Sequence, residues 1–113
     1  MQANSYNIPI DLIPINVAIY RVDEDGDFIF YDFNTTAQMT EKISKESLLG
    51  KKVTEVFPGI MEMGLLDVFK RVYESGESEY FDIAHYQDER RSGWRKNTVS
   101  KLDKNTIMSA YED

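Results

Sequence analysis

Residues 19–34, reading IYRVDEDGDFIFYDFN, constrain the fold more than any other stretch of the chain. Two runs rich in Val, Ile, Phe and Tyr flank Asp25-Gly26. Such residues fit a half-buried pleated surface. Asp25-Gly26 supplies the positive φ that a short hairpin loop needs. The reading is a strand over residues 16–23, a turn, and a second strand over residues 28–33.

The chain beyond the hairpin reads as helical. Asn34 is placed to cap a helix over residues 35–42, its side chain accepting from a free amide of the first turn. Ser44 is placed to cap a second short helix, with Glu46 near its positive end and Gly50 closing it. Residues 53–57 read as a further short turn or helix that stops at Pro58-Gly59. Residues 61–75 carry the one long helical pattern. Leu65, Leu66, Phe69, Val72 and Tyr73 recur there at helical spacing, and Gly76 ends it. Three extended runs complete the chain, at residues 78–87, 94–102 and 106–111. The polar loop 88–93 joins the first two, and Asp103-Lys104-Asn105 makes the last turn.

In this order and spacing the residues resemble the PAS (Per-Arnt-Sim) family, the sensory module of many bacterial signalling proteins. The resemblance runs from about Ile15 to Asp113. It is carried by Val22-Asp23 and Asp25-Gly26 in the hairpin, and by Tyr31 and Asn34 with Ala37 after the second strand. Leu48-Leu49-Gly50-Lys51, Phe57-Pro58 and Trp94 continue it. The Thr-Gly common after the first helix is missing, since Met39-Thr40-Glu41 stands there. The resemblance implies an α+β fold with a PAS-like five-stranded antiparallel sheet and helices packed on one face. Residues 1–14 then form an N-terminal lead-in or cap, and residues 15–113 the sensor domain. Tyr111-Glu112-Asp113 stand where the family's final strand runs into an Asp-Ile-Thr signature opening a helical linker. A coincidental acidic end and a piece of a longer signalling protein both fit that ending.

Composition narrows the chemistry. The formal net charge of -7 disfavours direct nucleic-acid or anionic-membrane binding. With no cysteine there are no disulfides, no thiolate catalysis and no Cys-type metal site, which fits a reducing, cytoplasmic setting. No apolar run approaches the roughly 18 residues of a membrane span. No Gly-rich phosphate loop or nucleophile-elbow Gly-x-Ser-x-Gly is present, so an enzyme is not expected.

The candidate pocket between sheet and long helix is lined by Met39, Phe57, Leu66, Phe69, Phe81, Ile83, His85, Trp94 and Met108. Plain core packing is the competing reading for each of the apolar ones. His85, the only histidine, is placed by period-two alternation on one face of a strand without the face being chosen. Haem-binding members of the family take their iron ligand from the long helix, where residues 61–75 hold no histidine. Haem and cysteinyl-flavin are therefore disfavoured, while noncovalent flavin and a small metabolite stay open. The acidic run Asp23, Glu24, Asp25, Asp27 lacks the spacing and closing Glu of an EF-hand loop, so it reads as a solvated turn. The basic residues Arg90-Arg91 with Arg95-Lys96 read as a solvated hairpin loop.

The expected function is that of a sensor, binding a small molecule or a partner and relaying the signal to an output domain of the same parent chain, as in two-component signalling. The alternative is a ligand-free dimerisation or interaction module. The apolar residues Tyr6, Ile8, Ile10, Leu12 and Ile13 are expected against the outer face of the sheet or a second subunit, giving a homodimer.

Overall fold

The computed structural model describes residues 9–60, 63–84 and 94–112, with the side chains of Ile83, Ala84, Trp94 and Arg95 outside the description. Its strands are β1 (Asn16–Val22), β2 (Phe28–Phe33), β3 (Glu79–Ala84), β4 (Trp94–Asp103) and β5 (Thr106–Glu112). They form one antiparallel sheet in the order β2-β1-β5-β4-β3. The helices α1 (Thr35–Glu41), α2 (Lys45–Leu48), α3 (Val53–Val56) and α4 (Leu65–Ser75) lie between β2 and β3 in the chain. Short 3-10 turns occupy Ile10–Leu12 and Pro58–Ile60. This is the expected five-stranded α+β arrangement.

The hairpin forms around Gly26, whose φ of 83° costs a glycine little. Asp23 closes the turn, its Oδ1 accepting from the amides of Asp25 at 3.0 Å and Asp27 at 2.9 Å. The acidic loop is thus an Asx-type turn that satisfies its own backbone. Asp27 also pairs with Lys52 at 3.1 Å, tying the hairpin to the start of α3. Tyr31 has no partner in the β1–β2 register, and the shift beside Ile19 and Tyr20 marks a bulge there.

Asn34 does more than the predicted cap. Its Oδ1 accepts from the amides of Ala37 and Val17, both at 3.0 Å. Its Nδ2 donates to the carbonyls of Ile10, Ile13 and Ile15. The side chain is completely buried, so it joins the lead-in, β1 and α1. Asp11 adds a second tie by accepting from the amide and hydroxyl of Thr35. Of the lead-in's apolar residues, Tyr6 and Ile8 lie outside the described residues, and Leu12 is exposed.

Two local expectations are corrected. Ser44 makes no side-chain cap to α2. Gln38 reaches across from α1 instead, and its Oε1 accepts from the amide of Lys45 at 2.9 Å. The long helix begins at Leu65, not at residue 61, because Gly64 has φ 86°, outside the helical region. A Cβ on Gly64 would also lie 3.3 Å from Cζ of Phe81, so the chain entering the helix runs close against β3 there.

α4 packs Leu65, Val68, Phe69 and Val72 into the core. Leu66 and Tyr73, which the sequence puts on the same stripe, sit half-buried at its flank. Two ties fix the helix to the sheet. Arg71 donates twice to the Glu79 carboxylate, at 2.8 and 3.0 Å, and Lys101 Nζ donates to the carbonyl of Tyr73 at 2.8 Å.

Candidate functional site

The face of the sheet under the helices has two chemically different ends. Alternation along β1 turns Tyr20, Ala18 and Asn16 inward, and β5 matches them with Ile107, Ser109 and Tyr111. At the Tyr20 end the interior is aromatic. The Tyr20 ring lies 4.8 Å from that of Phe30 and 5.0 Å from that of Phe69, centroid to centroid. Phe69 further meets Phe28 at 5.4 Å, and Phe30 meets Phe33 and Phe57 at 5.8 and 6.0 Å. Rings this close fill space and exclude a ligand between them.

At the other end the same face is polar. Asn16, Tyr111 and Asn97 stand side by side on β1, β5 and β4, all buried. Phe81 of β3 extends the row beside Asn97. Asn16 Nδ2 donates to the Tyr111 carbonyl at 3.0 Å, which fixes the amide's orientation. Its Oδ1 is then left buried, with no hydrogen-bond partner among the described residues, in a residue only 5% exposed. The Tyr111 hydroxyl donates to Glu41 Oε2 at 2.7 Å, linking the end of α1 to the last strand. A buried acceptor left unpaired costs about 1–3 kcal/mol. Such a group is either a local defect or the anchor for something that donates to it.

The phenol of Tyr20 belongs to the aromatic end and is buried there. Burial, and secondarily the charge of Glu41, push its pKa far above the ordinary tyrosine value. Tyr20 should therefore stay protonated until the fold is lost. The folded pKa is the higher one, so stability should hold below about pH 10, the unfolded tyrosine value, and fall above it. An alkaline ultraviolet titration should show a late step that coincides with unfolding and disappears in Tyr20→Phe. A Tyr20 that ionised while the protein stayed folded would contradict the burial argument.

The nine predicted pocket residues separate into groups. Phe69 is fully buried among the core rings, while Phe57 and Phe81 are half-buried against the same cluster. Phe81 borders the polar row. Leu66 lies at the flank of α4 and opens to a surface cleft. Two placements are corrections. Met39 is 73% exposed, because α1 turns Ala37, not Met39, towards the sheet. Met108 lies on the outer face opposite Ile19, since alternation along β5 gives the inner face to Ile107 and Ser109. Ile83 pairs with Arg95 and Trp94 with Ala84 in the β3–β4 ladder, but their side chains are outside the description. His85 lies outside the described residues, as do Arg90 and Arg91 of the basic run. The sequence pattern does not single out Asn16, Glu41 or Tyr111. Asparagine in a strand and tyrosine at its end carry no local mark of burial.

Among the described residues, no helix is long and apolar enough to cross a membrane. The sheet order β2-β1-β5-β4-β3, with four helices between the first hairpin and the last three strands, is that of the PAS fold. Solved structures agree with that arrangement. The photoactive yellow protein domain of a sensor histidine kinase from Rhodospirillum centenum matches with a TM-score of 0.75 at 13% identity, over 92% of this chain and 90% of its own. A sensory box sensor histidine kinase from Vibrio cholerae matches with a TM-score of 0.71 at 13% identity, over 92% and 85%. The PAS domain of a protein from Colwellia psychrerythraea matches with a TM-score of 0.62 at 19% identity, over 92% and 89%. No protein-family model matches the chain, and no curated protein does. At these identities the likeness is one of fold.

Proposed function

We propose that this is a non-catalytic sensory PAS domain of a larger, bacterial signalling protein, with residues 15–113 as the sensor and residues 1–14 as its lead-in. A small polar molecule would be held at the polar end of the inner face and reported through β5 to an output domain in the cytoplasm. The observation that carries this reading is the buried, unpartnered Oδ1 of Asn16 in a row with Tyr111 and Asn97. Tyr111 supplies the route out, since it bonds both Asn16 and Glu41 one residue before the end of β5. The histidine kinases among the structural neighbours support the sensory role. Phe81, which borders the polar row, remains the proposed lining together with Ile83, His85 and Trp94. A noncovalent flavin or small metabolite fits such a lining, whereas cysteinyl attachment has no residue to use.

The test is native mass spectrometry and absorption of protein purified from its own host, with and without Asn16→Leu. The expected result is a noncovalent adduct that is lost in the variant, while the variant remains folded. Bare protein mass, together with no thermal shift from flavins, small alcohols, amines or acids, would overturn ligand sensing.

The interaction-module reading has its own observation. The outer face presents Tyr80, 84% exposed, and Tyr31, with Ile19 and Met108 between them in the sheet. Such a surface suits a homodimer. Sedimentation of the full chain should then show self-association that weakens when residues 1–12 are removed, and a monomer at high concentration would exclude it.

A further inference from the structure

The polar end of the inner face discriminates between classes of ligand. Asn16 Nδ2 donates to the Tyr111 carbonyl at 3.0 Å. A carbonyl only accepts, so the amide cannot turn over without losing that bond. Asn16 therefore offers an acceptor, its Oδ1 being buried and without a partner among the described residues. The Tyr111 hydroxyl supplies no donor to it, because that proton goes to Glu41.

A second polar group stands nearby. One step towards the aromatic end, the next row of the inner face is Ala18, Ser109 and Val99 on β1, β5 and β4. Ser109 is only 2% exposed, and its flanking partners Ala18 and Val99 carry no polar side-chain atom. Among the described residues, no side-chain hydrogen bond engages its hydroxyl. A buried hydroxyl both donates and accepts, so it has a donor to give. Asn16 and Ser109 are diagonal neighbours on paired strands, which sets them roughly 7–8 Å apart at the backbone. Two hydrogen bonds of about 2.9 Å, with the width of one planar amide between them, span such a distance.

Charge decides the rest. An anion would set a further acceptor against Asn16 Oδ1, at the same end of the sheet as the Glu41 carboxylate. A cation would lie against two neutral groups, and a buried charge without a paired one costs far more than a buried amide. A neutral group with a donor and an acceptor side by side meets neither penalty.

We propose that the ligand of the polar end is a neutral molecule bearing a carboxamide. Its N–H donates to Asn16 Oδ1, and its C=O accepts from the Ser109 hydroxyl. This rests on the sensing function proposed above and gives its ligand a chemical class.

The probes are propionamide and propionate, which share a shape and differ in charge and in the N–H donor. Isotope-labelled full-length protein is titrated with each. The backbone amides of Ala18 and Ser109 and the side-chain amide of Asn16 are followed by NMR. Propionamide should give saturable shifts at these positions, and propionate should give none. Asn16→Leu should abolish the response. Ser109→Ala removes a single oxygen, and decides the case if leucine disturbs the fold. It should weaken propionamide about tenfold, the effect of one lost hydrogen bond at the upper end of the usual range. The spectrum of each variant reports whether it is folded. No response to propionamide, an equal response to propionate, or undiminished binding in folded Ser109→Ala would each overturn the carboxamide. Failure of the class and failure of the site are separable. Shifts from propionate alone, lost in Asn16→Leu, would reject the carboxamide and keep a ligand at the polar end. Silence from both probes, with bare mass for protein from its own host, would reject both and leave Oδ1 to water.

Discussion

Phe69→Ala should destabilise the protein by roughly 3–5 kcal/mol, the usual cost of emptying a buried phenylalanine site. The ring has no exposed surface and touches both Tyr20 and Phe28 from the middle of α4. Its neighbours belong to β1, β2 and a helix tied down at Glu79 and Lys101, so they have little freedom to close the space. Urea unfolding followed by fluorescence measures the loss. A change below about 1 kcal/mol would mean that the core had collapsed around the missing ring, or that the ring was not in it. Leu66→Ala provides the contrast. Leu66 is only half-buried, so truncation there, one helical turn back, should cost well under half as much.

Asn34→Ala should be nearly as damaging, at roughly 3–4 kcal/mol. The side chain makes five hydrogen bonds, to two amides and three carbonyls, and each is worth about 0.5–1.5 kcal/mol net. An ordinary N-cap loses only about 0.5–2 kcal/mol. The excess over that range is the signature of the joint between the lead-in, β1 and α1. Asn34→Asp tests the arrangement without removing the side chain. Its carboxylate still accepts from Val17 and Ala37 but places charge against the carbonyls of Ile10, Ile13 and Ile15. Those carbonyls raise the carboxyl pKa in the fold. The variant should therefore be weak at neutral pH and regain stability as the solution approaches about pH 4, the ordinary aspartate value. Thermal unfolding across that pH range is the measurement. A loss no greater than a normal cap, with no recovery in acid, would show that the network contributes little.

Phe69 and Asn34 mark where local sequence stops being informative. Phe69 is legible because α4 repeats apolar residues every three to four positions, and that period is itself the cause of burial. The hairpin is legible for a similar reason, since Gly26 and its flanking β-branched and aromatic residues determine local geometry. Asn34 is legible only as a cap. Its three bonds to the carbonyls of Ile10, Ile13 and Ile15 cross 19 to 24 residues, and no pattern within one helix announces them. Ser44 shows the converse, where a good local cap is displaced by Gln38 from the preceding helix. The helical pattern read from residue 61 also starts ahead of α4, because periodicity does not register Gly64, whose positive φ accompanies its approach to Phe81.

The order of strands and helices, the hairpin turn, the core stripe of α4 and the lack of any cysteine chemistry all follow from the amino-acid order alone. Each depends on neighbours within a turn of helix or a pair of strands, or on composition. Other features exist only once the sheet is assembled. These are the face to which Met108 belongs, the exposure of Met39, and the polar row at one end of the inner face. Asn16 and Tyr111 are 95 residues apart, and Glu41 and Tyr111 are 70 apart. Their meeting depends on how β1 and β5 register beneath α1. The burial of a polar side chain is a property of that register, and a strand's own residues are equally compatible with either face until the sheet is covered.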